Sequence, residues 1–312
     1  MNMELPQMSH TYVAADGSAD YKTVQEAIDA VPVHNDSTVL IHIAPGTYKE
    51  KITISGDKPH IKLCGQSAEN TILTYDDFGG KVMENGDIAS TFRSGSVNIF
   101  ANYIEAENIT FENTSNSPVG HQALALYASG EHLFFKNCRF YGKQDTLYVK
   151  DGTQLYQDCY IEGDTDFIFG GARAVFENCS IFAKNHRSPE EIEKGKGGYI
   201  SAPSTPLAQK YGMLFVGCKL DSDYPENRIF LGRPWHPGAD PYAVGCAVFR
   251  ECEISEAIKE EGWCDMGGYL AANARLYEYK NFGPGVKSHE KRRQLSDEEA
   301  LIYTKERVLG IF

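Results

Sequence analysis

The chain of 312 residues has no apolar run approaching the ~18 residues that a membrane-spanning helix needs, so no membrane association is expected. It is short of positive charge: 30 Lys and Arg stand against 43 Asp and Glu, a formal net charge of −13. That balance argues against nucleic acid as a partner, because phosphate backbones demand a basic surface. An uncharged or partly neutralised substrate suits it better than a dense polyanion. The segment Met1 to His10 lacks the basic and apolar regions of a secretory signal. As written, the protein is expected in the cytoplasm; secretion after loss of a leader is the alternative. Neither a calcium-loop nor a zinc-ligand spacing occurs, so no metal or cofactor is expected. No break in composition marks a linker, and residues 1–312 are expected to form a single domain, most simply a monomer.

What is present is repetition. Hydrophobic residues make up 42% and aromatics 12% of the chain, enough for a substantial core, and 29 glycines suit a fold with many turns. Phe134-Phe135-Lys136-Asn137-Cys138-Arg139-Phe140 is echoed by Leu155-Tyr156-Gln157-Asp158-Cys159-Tyr160-Ile161 and by Val175-Phe176-Glu177-Asn178-Cys179-Ser180-Ile181. Phe111-Glu112-Asn113-Thr114 reads as an earlier copy with threonine in the cysteine slot. Phe215-Val216-Gly217-Cys218 and Phe249-Arg250-Glu251-Cys252 read as later ones. Steps of 21 and 20 residues, from Cys138 to Cys159 to Cys179, match one turn of a parallel β-helix, and longer steps are turns carrying inserted loops. The fold expected is all-β, a parallel β-helix. Its cysteines stack inward as reduced thiols that pack as small hydrophobes. Asn113, Asn137, Asp158 and Asn178 are expected to form a polar ladder at one corner.

Two capping boxes bracket the coil. Thr23-Val24-Gln25-Glu26 opens a short N-terminal helix that closes one end of the coil. Ser296-Asp297-Glu298-Glu299 opens a C-terminal helix that folds back on its side. Insertions at Lys184–Gly198 and Pro234–Pro241 are expected to wall a cleft.

The residues able to do chemistry share the coil's step. Asp145 and Asp166 are 21 residues apart, and Gln122 and Gln144 are 22 apart. Gln122, Asp145 and Asp166 would then lie on successive turns of one sheet, with Gln144 directly before Asp145. Paired carboxylates in unlike surroundings divide acid, base and nucleophile roles. Leu231-Gly232-Arg233-Pro234-Trp235 adds an arginine and an indole near a turn. His121 stands alone and is read as loop structure.

These segments, with Gly46-Thr47-Tyr48-Lys49-Glu50, Gln144-Asp145-Thr146-Leu147-Tyr148 and Asp166-Phe167-Ile168-Phe169-Gly170, resemble the pectin methylesterase (pectinesterase) family, in the family's order and from about Tyr12 to near the C-terminus. The resemblance implies a right-handed parallel β-helix and an aspartyl esterase acting on methyl-esterified homogalacturonan or oligogalacturonides. It implies Asp166 as nucleophile, Asp145 as general acid and base, and Gln122 and Gln144 as oxyanion donors. Arg233 would orient Asp166, while Trp235 and Phe169 would offer apolar faces to sugar rings. Tyr199-Ile200-Ser201-Ala202-Pro203 departs from the common threonine-containing form of that segment, and the Lys184–Gly198 loop is individual to this chain. The Asn-Thr-Asp, Gly-His-Gly and Arg-Ile-Lys signatures of a polygalacturonase, the nearest rival among β-helix enzymes, are missing. A pectate lyase would need calcium and a basic proton acceptor, leaving the glutamines without a role. A polysaccharide-binding scaffold would have no use for the two aspartates, the glutamines and the arginine together.

Overall fold

The computed structural model describes residues 9–83, 86–116 and 121–310; Gly120 and most of the Met1–His10 segment lie outside them. Runs of alternating apolar and polar residues form short strands, and every pairing between named strands is parallel. Each full turn visits three faces. The turn that starts at Thr165–Gly170 passes through Arg173–Glu177 and Ser180–Ala183 before the chain returns to the first face at Tyr199–Pro203. Leu126–Lys136 and Leu147–Gln157 are eleven residues each and run round the corner between two faces, which joins those faces into one sheet. The expected parallel β-helix is what forms.

Its interior is built of like residues stacked on like. Phe135, Tyr156, Phe176, Phe215 and Phe249 stack with ring centroids 4.8, 4.8, 4.6 and 4.2 Å apart, all fully buried. Beside them runs the thiol ladder. Cys159, Cys179, Cys218 and Cys252 each donate through Sγ to the carbonyl of the aromatic residue one turn earlier, at 3.2–3.6 Å. All eight cysteines are free thiols. A thiol titration under non-reducing conditions is expected to find at most the half-buried Cys64 and Cys264 in the native protein. Cys64 should react slowly, since burial pushes its thiol up to about 11. All eight should react in denaturant; fewer than eight there would mean that rungs are joined as disulfides.

One register differs from expectation. Thr110 pairs with Arg139 and Phe111 with Phe140, which places Ile109, not Thr114, in the cysteine slot and Asn108, not Asn113, at the polar corner. That corner needs left-handed backbone: Asn108, Asn137, Asp158 and Asn178 have φ of 58°, 49°, 54° and 54°. Asn and Asp reach this region at least cost among residues with a side chain. Asn137 Nδ2 donates to Asn108 Oδ1 at 2.6 Å, so the ladder is a real contact between rungs.

The N-terminal helix α1 (Val24–Ala30) starts with the expected capping box and buries Val24, Ala27 and Ile28 against the first strands. Glu50, from the Gly46–Glu50 motif, accepts from the N–H groups of Val24 and Gln25 at 2.8 and 3.0 Å. That motif's acid is thus a helix cap on the positive end of the dipole. The C-terminal expectation of one helix is corrected to two short ones. The loop inserted at Lys184–Gly198 carries α2 (Pro189–Glu193); after it come α3 (Asp297–Ala300) and α4 (Lys305–Leu309), with Tyr303 and Thr304 between those two. Thr304 caps α4 separately. Val308 and Leu309 then pack on Val175, Leu214 and Val248 on the outside of the coil.

Candidate active site

Gln122, Gln144, Asp145, Asp166, Phe169, Arg233 and Trp235 all line one cleft of about 180 Å³. The pairing of Leu147 with Ile168 and Tyr148 with Phe169 stacks Asp145 on Asp166 one rung apart, a strand spacing of about 4.8 Å. Both aspartates are left-handed, with φ of 64° and 50°. Non-glycine residues held in this region collect at functional sites, where the surrounding structure fixes them. Here the fixing is visible for Asp145, whose N–H donates to Thr165 O at 3.0 Å.

Arg233 grips Asp166 with two bonds, Nε to Oδ1 at 2.8 Å and Nη2 to Oδ2 at 2.7 Å. Its guanidinium carbon lies 3.8 Å from the centre of the Tyr199 ring, a cation–π contact that fixes the plane of the fork. The two carboxyls differ in electrostatics. Burial pushes Asp145 well above the usual carboxylate range, the negative charges of Asp166 and Asp164 add to the rise, and Arg233 only partly offsets it. Burial also raises Asp166, but there the hydrogen bonds and charge of Arg233 pull back most directly. Of the two, the arrangement favours the proton on Asp145 and the charge on Asp166. Asp164, 4% exposed, also bears on the pair, and no motif or repeat marks it in the sequence.

The glutamines are held by their backbones and leave their amides unengaged. Gln144 O accepts from Ala123 N–H at 3.1 Å and Gln122 O from Gly79 N–H at 2.8 Å. Among the described residues no partner for either amide occurs, and both line the cleft. Asn113, displaced from the corner ladder, has a different task. Its Nδ2 lies 3.0, 3.2 and 2.9 Å from the carbonyls of Asp77, Ser94 and Leu124, tying together the loops that carry Thr91, Phe92 and Gln122. His121 is the loop residue expected, with Nδ1 2.8 Å from Gly79 O.

The apolar wall is wider than sequence indicated. Trp235 packs edge-on against Phe169 and Tyr148, with centroids 5.5 and 6.2 Å away, and Tyr148 stacks on Phe169 at 4.4 Å. Phe92, 44% exposed, leans on Tyr148 at 5.2 Å. Thr91, Phe92, Ala202 and Met266 complete the lining, and of these only Ala202 lies in a segment that the sequence marks. Ser201, at the departure from the threonine-containing segment, is wholly buried and donates to Leu231 O at 2.8 Å, so that difference does not reach the cleft.

A carboxylate held bidentate by arginine, a second carboxyl one rung away that burial shifts upward and two amides facing the cleft beside apolar rings suit the hydrolysis of carboxylic esters on a β-helix. Comparison with known proteins narrows the class. The Pectinesterase family model matches residues 10–310, and the chain belongs to that family. It is 37% identical over 299 residues to Pectinesterase 31 of Arabidopsis thaliana, covering 92% of this chain and 88% of that one. It is 33% identical to a probable pectinesterase/pectinesterase inhibitor 23 of the same plant, of which it spans only 53%. Among solved structures, a pectin methylesterase in complex with a hexasaccharide superposes with a TM-score of 0.89 at 31% identity, over 97% of both chains. The coil is accordingly the right-handed parallel β-helix of that family.

Proposed function

We propose that Asp166 and Asp145 divide pectin methyl-ester hydrolysis between them. As a pectinesterase the protein removes methyl esters from pectin, releasing methanol and leaving free carboxylates. The observation that carries the assignment of roles is the two-point grip of Arg233 on Asp166 beside a buried carboxyl, Asp145, that arginine does not touch and that burial pushes upward. Asp166 attacks the ester carbonyl carbon. The amides of Gln122 and Gln144 donate to the oxyanion that forms. Asp145 gives its proton to the departing methoxide, and methanol leaves an acyl group on Asp166. The Asp145 carboxylate then takes a proton from water, whose hydroxide attacks the acyl carbon and frees Asp166. Trp235 and Phe169 give sugar rings an apolar face. The substrate is methyl-esterified homogalacturonan or its oligomers. The test is methanol release from methylated pectin with neither chain shortening nor unsaturated products; initial rates on polymer and on short methylated oligogalacturonides then rank the two substrates.

Arg233→Lys is expected to be far from conservative. Lysine keeps the charge but offers no planar fork for two carboxylate oxygens and no flat face for Tyr199. A misplaced nucleophile costs roughly 10²-fold, so the loss should appear in kcat with KM nearly unchanged. A near-normal kcat would show that Arg233 does not orient Asp166.

A further inference from the structure

Asp164 is a third buried carboxylate in the ladder that holds the catalytic pair. Its N–H donates to Lys143 O at 3.1 Å, and that of Asp145 donates to Thr165 O at 3.0 Å. Asp164 therefore lies on the rung of Asp166, next to the rung of Asp145. Its Oδ2 has a partner, His186 Nδ1, at 3.2 Å, while its Oδ1 is buried and takes no hydrogen bond among the described residues. A buried acceptor left half-satisfied is costly, and nothing in the repeat of the coil demands a carboxyl at this place. The carbonyl of Asp164 accepts from Tyr199 N–H at 3.1 Å, and Tyr199 is the ring on which Arg233 rests. One residue thus joins the catalytic ladder through its backbone and the Lys184–Gly198 insertion through its side chain.

His186 belongs to that insertion and is the member of the pair that changes state. Its side chain is 26% exposed, so solvent protons reach it, and it is charged only when protonated. Histidine is the side chain that gains and loses charge near neutrality. The other groups around Asp164 are Arg187, Arg233, Tyr224 and the two catalytic aspartates. Arg187, next to His186, donates through Nη2 to Thr165 Oγ1 at 2.7 Å. Arg233 is held by Asp166. Burial, with the charge of Asp164 adding to it, pushes Tyr224 up to about 12, so its hydroxyl stays neutral. On the far side of His186, Lys184 pairs with Asp223 at 3.3 Å. Burial is the main reason that Asp145 and Asp166 both stand high, and the charge of Asp164 adds to each.

We propose that Asp164 and His186 work as a charge-setting pair, in which protonated His186 masks the Asp164 charge and neutral His186 unmasks it, so that Asp145 and Asp166 keep one proton between them over a wider range of pH. The proposal rests on the roles given above to those two aspartates. At low pH the cation on His186 offsets Asp164, and Asp166 stays ionised more easily. As pH rises His186 loses its charge, Asp164 stands uncompensated, and its field holds the proton on Asp145. Neither residue lines the cleft, so both are positioning residues that act through the aspartates.

The experiment measures methanol release from methylated pectin against pH for wild type, Asp164→Asn and His186→Gln. Carboxyl-carbon NMR follows the titration of Asp145 and Asp166 over the same range without turnover, with Asp145→Asn to assign the signals. Both substitutions keep a polar side chain of similar reach, and circular dichroism should show the wild-type fold. Asp164→Asn takes a negative neighbour from both aspartates, so each gives up its proton more readily. Both limbs of the profile should then move to lower pH, by roughly one pH unit. His186→Gln removes the cation and leaves Asp164 unmasked at every pH. Its acid limb should move the other way, to higher pH, by roughly one pH unit, while its alkaline limb stays in place. Limbs and carboxyl titrations that match wild type in both variants overturn the proposal. So does a lower kcat with both limbs in place, which a purely structural pair would give. Carboxyl titrations that shift as expected under an unmoved rate profile uphold the pair and overturn the roles of Asp145 and Asp166 instead.

Discussion

Asp166→Ala is expected to release no measurable methanol from methylated pectin, a loss of roughly 10⁴-fold or more, because the attacking oxygen is gone. Alanine also disturbs the fold locally, for two reasons that must be separated from chemistry. It leaves the Arg233 guanidinium, whose side chain is 19% exposed, without its counter-charge, and removing one partner of a buried pair typically costs about 3–5 kcal/mol. It also places an alanine at φ of 50°, where a side chain other than Asn or Asp costs about 1–2 kcal/mol. Asp166→Asn avoids most of both penalties: it tolerates the backbone and keeps an oxygen for Arg233, yet cannot act as a carboxylate nucleophile. Both variants should be inactive, with Asn the more heat-stable by circular dichroism. A folded Asp166→Ala or Asp166→Asn with full esterase activity would remove the nucleophile assignment and the mechanism with it.

The coil was legible because its rungs repeat chemistry as well as spacing. An aromatic, then a left-handed residue, then Cys recurs where the chain turns the same corner, the left-handed place taken by Asn137, Asp158 and Asn178 and later by Gly217 and Glu251, since that corner needs in order a core ring, a left-handed backbone and a small inward group. The same step placed Asp145 over Asp166. Where one slot changed residue, the pattern misled. Ile109 fills the thiol position with a larger apolar group, and Phe111-Glu112-Asn113-Thr114 imitates the repeat five residues later. Only the pairing of strands reveals the slip, because inward and outward positions are defined by the neighbouring rung. Phe92 and Met266 were invisible for another reason. They come from insertions with no periodicity, and their place in the cleft depends on how loops are tied back, as Asn113 ties two of them. The C-terminal helix was overdrawn because a capping box marks where a helix begins and says nothing of its length.

Asp145→Asn is expected to fold and to keep the Arg233–Asp166 clamp, but to lose about 10²–10⁴-fold in kcat, the usual worth of general acid–base assistance. Asparagine tolerates the left-handed backbone at φ of 64° and relieves a buried acid of its desolvation. It can donate a hydrogen bond to the leaving oxygen but cannot transfer a proton to it, nor take one from water. The pH profile gives the sharper readout. In the wild type, activity requires Asp166 ionised and Asp145 protonated. It is therefore lost as pH falls through the apparent pKa of Asp166 and again as pH rises through that of Asp145, giving a bell. Burial raises both groups, so both limbs should lie above the range of free carboxylates. Asparagine does not titrate, so the variant should keep the acid limb and lose the alkaline one. Removing the neighbouring carboxyl also leaves Asp166 with Arg233 as its dominant partner. The measurement is methanol release against pH for both proteins. An alkaline limb that survives unchanged in Asp145→Asn would assign the proton donor to another group.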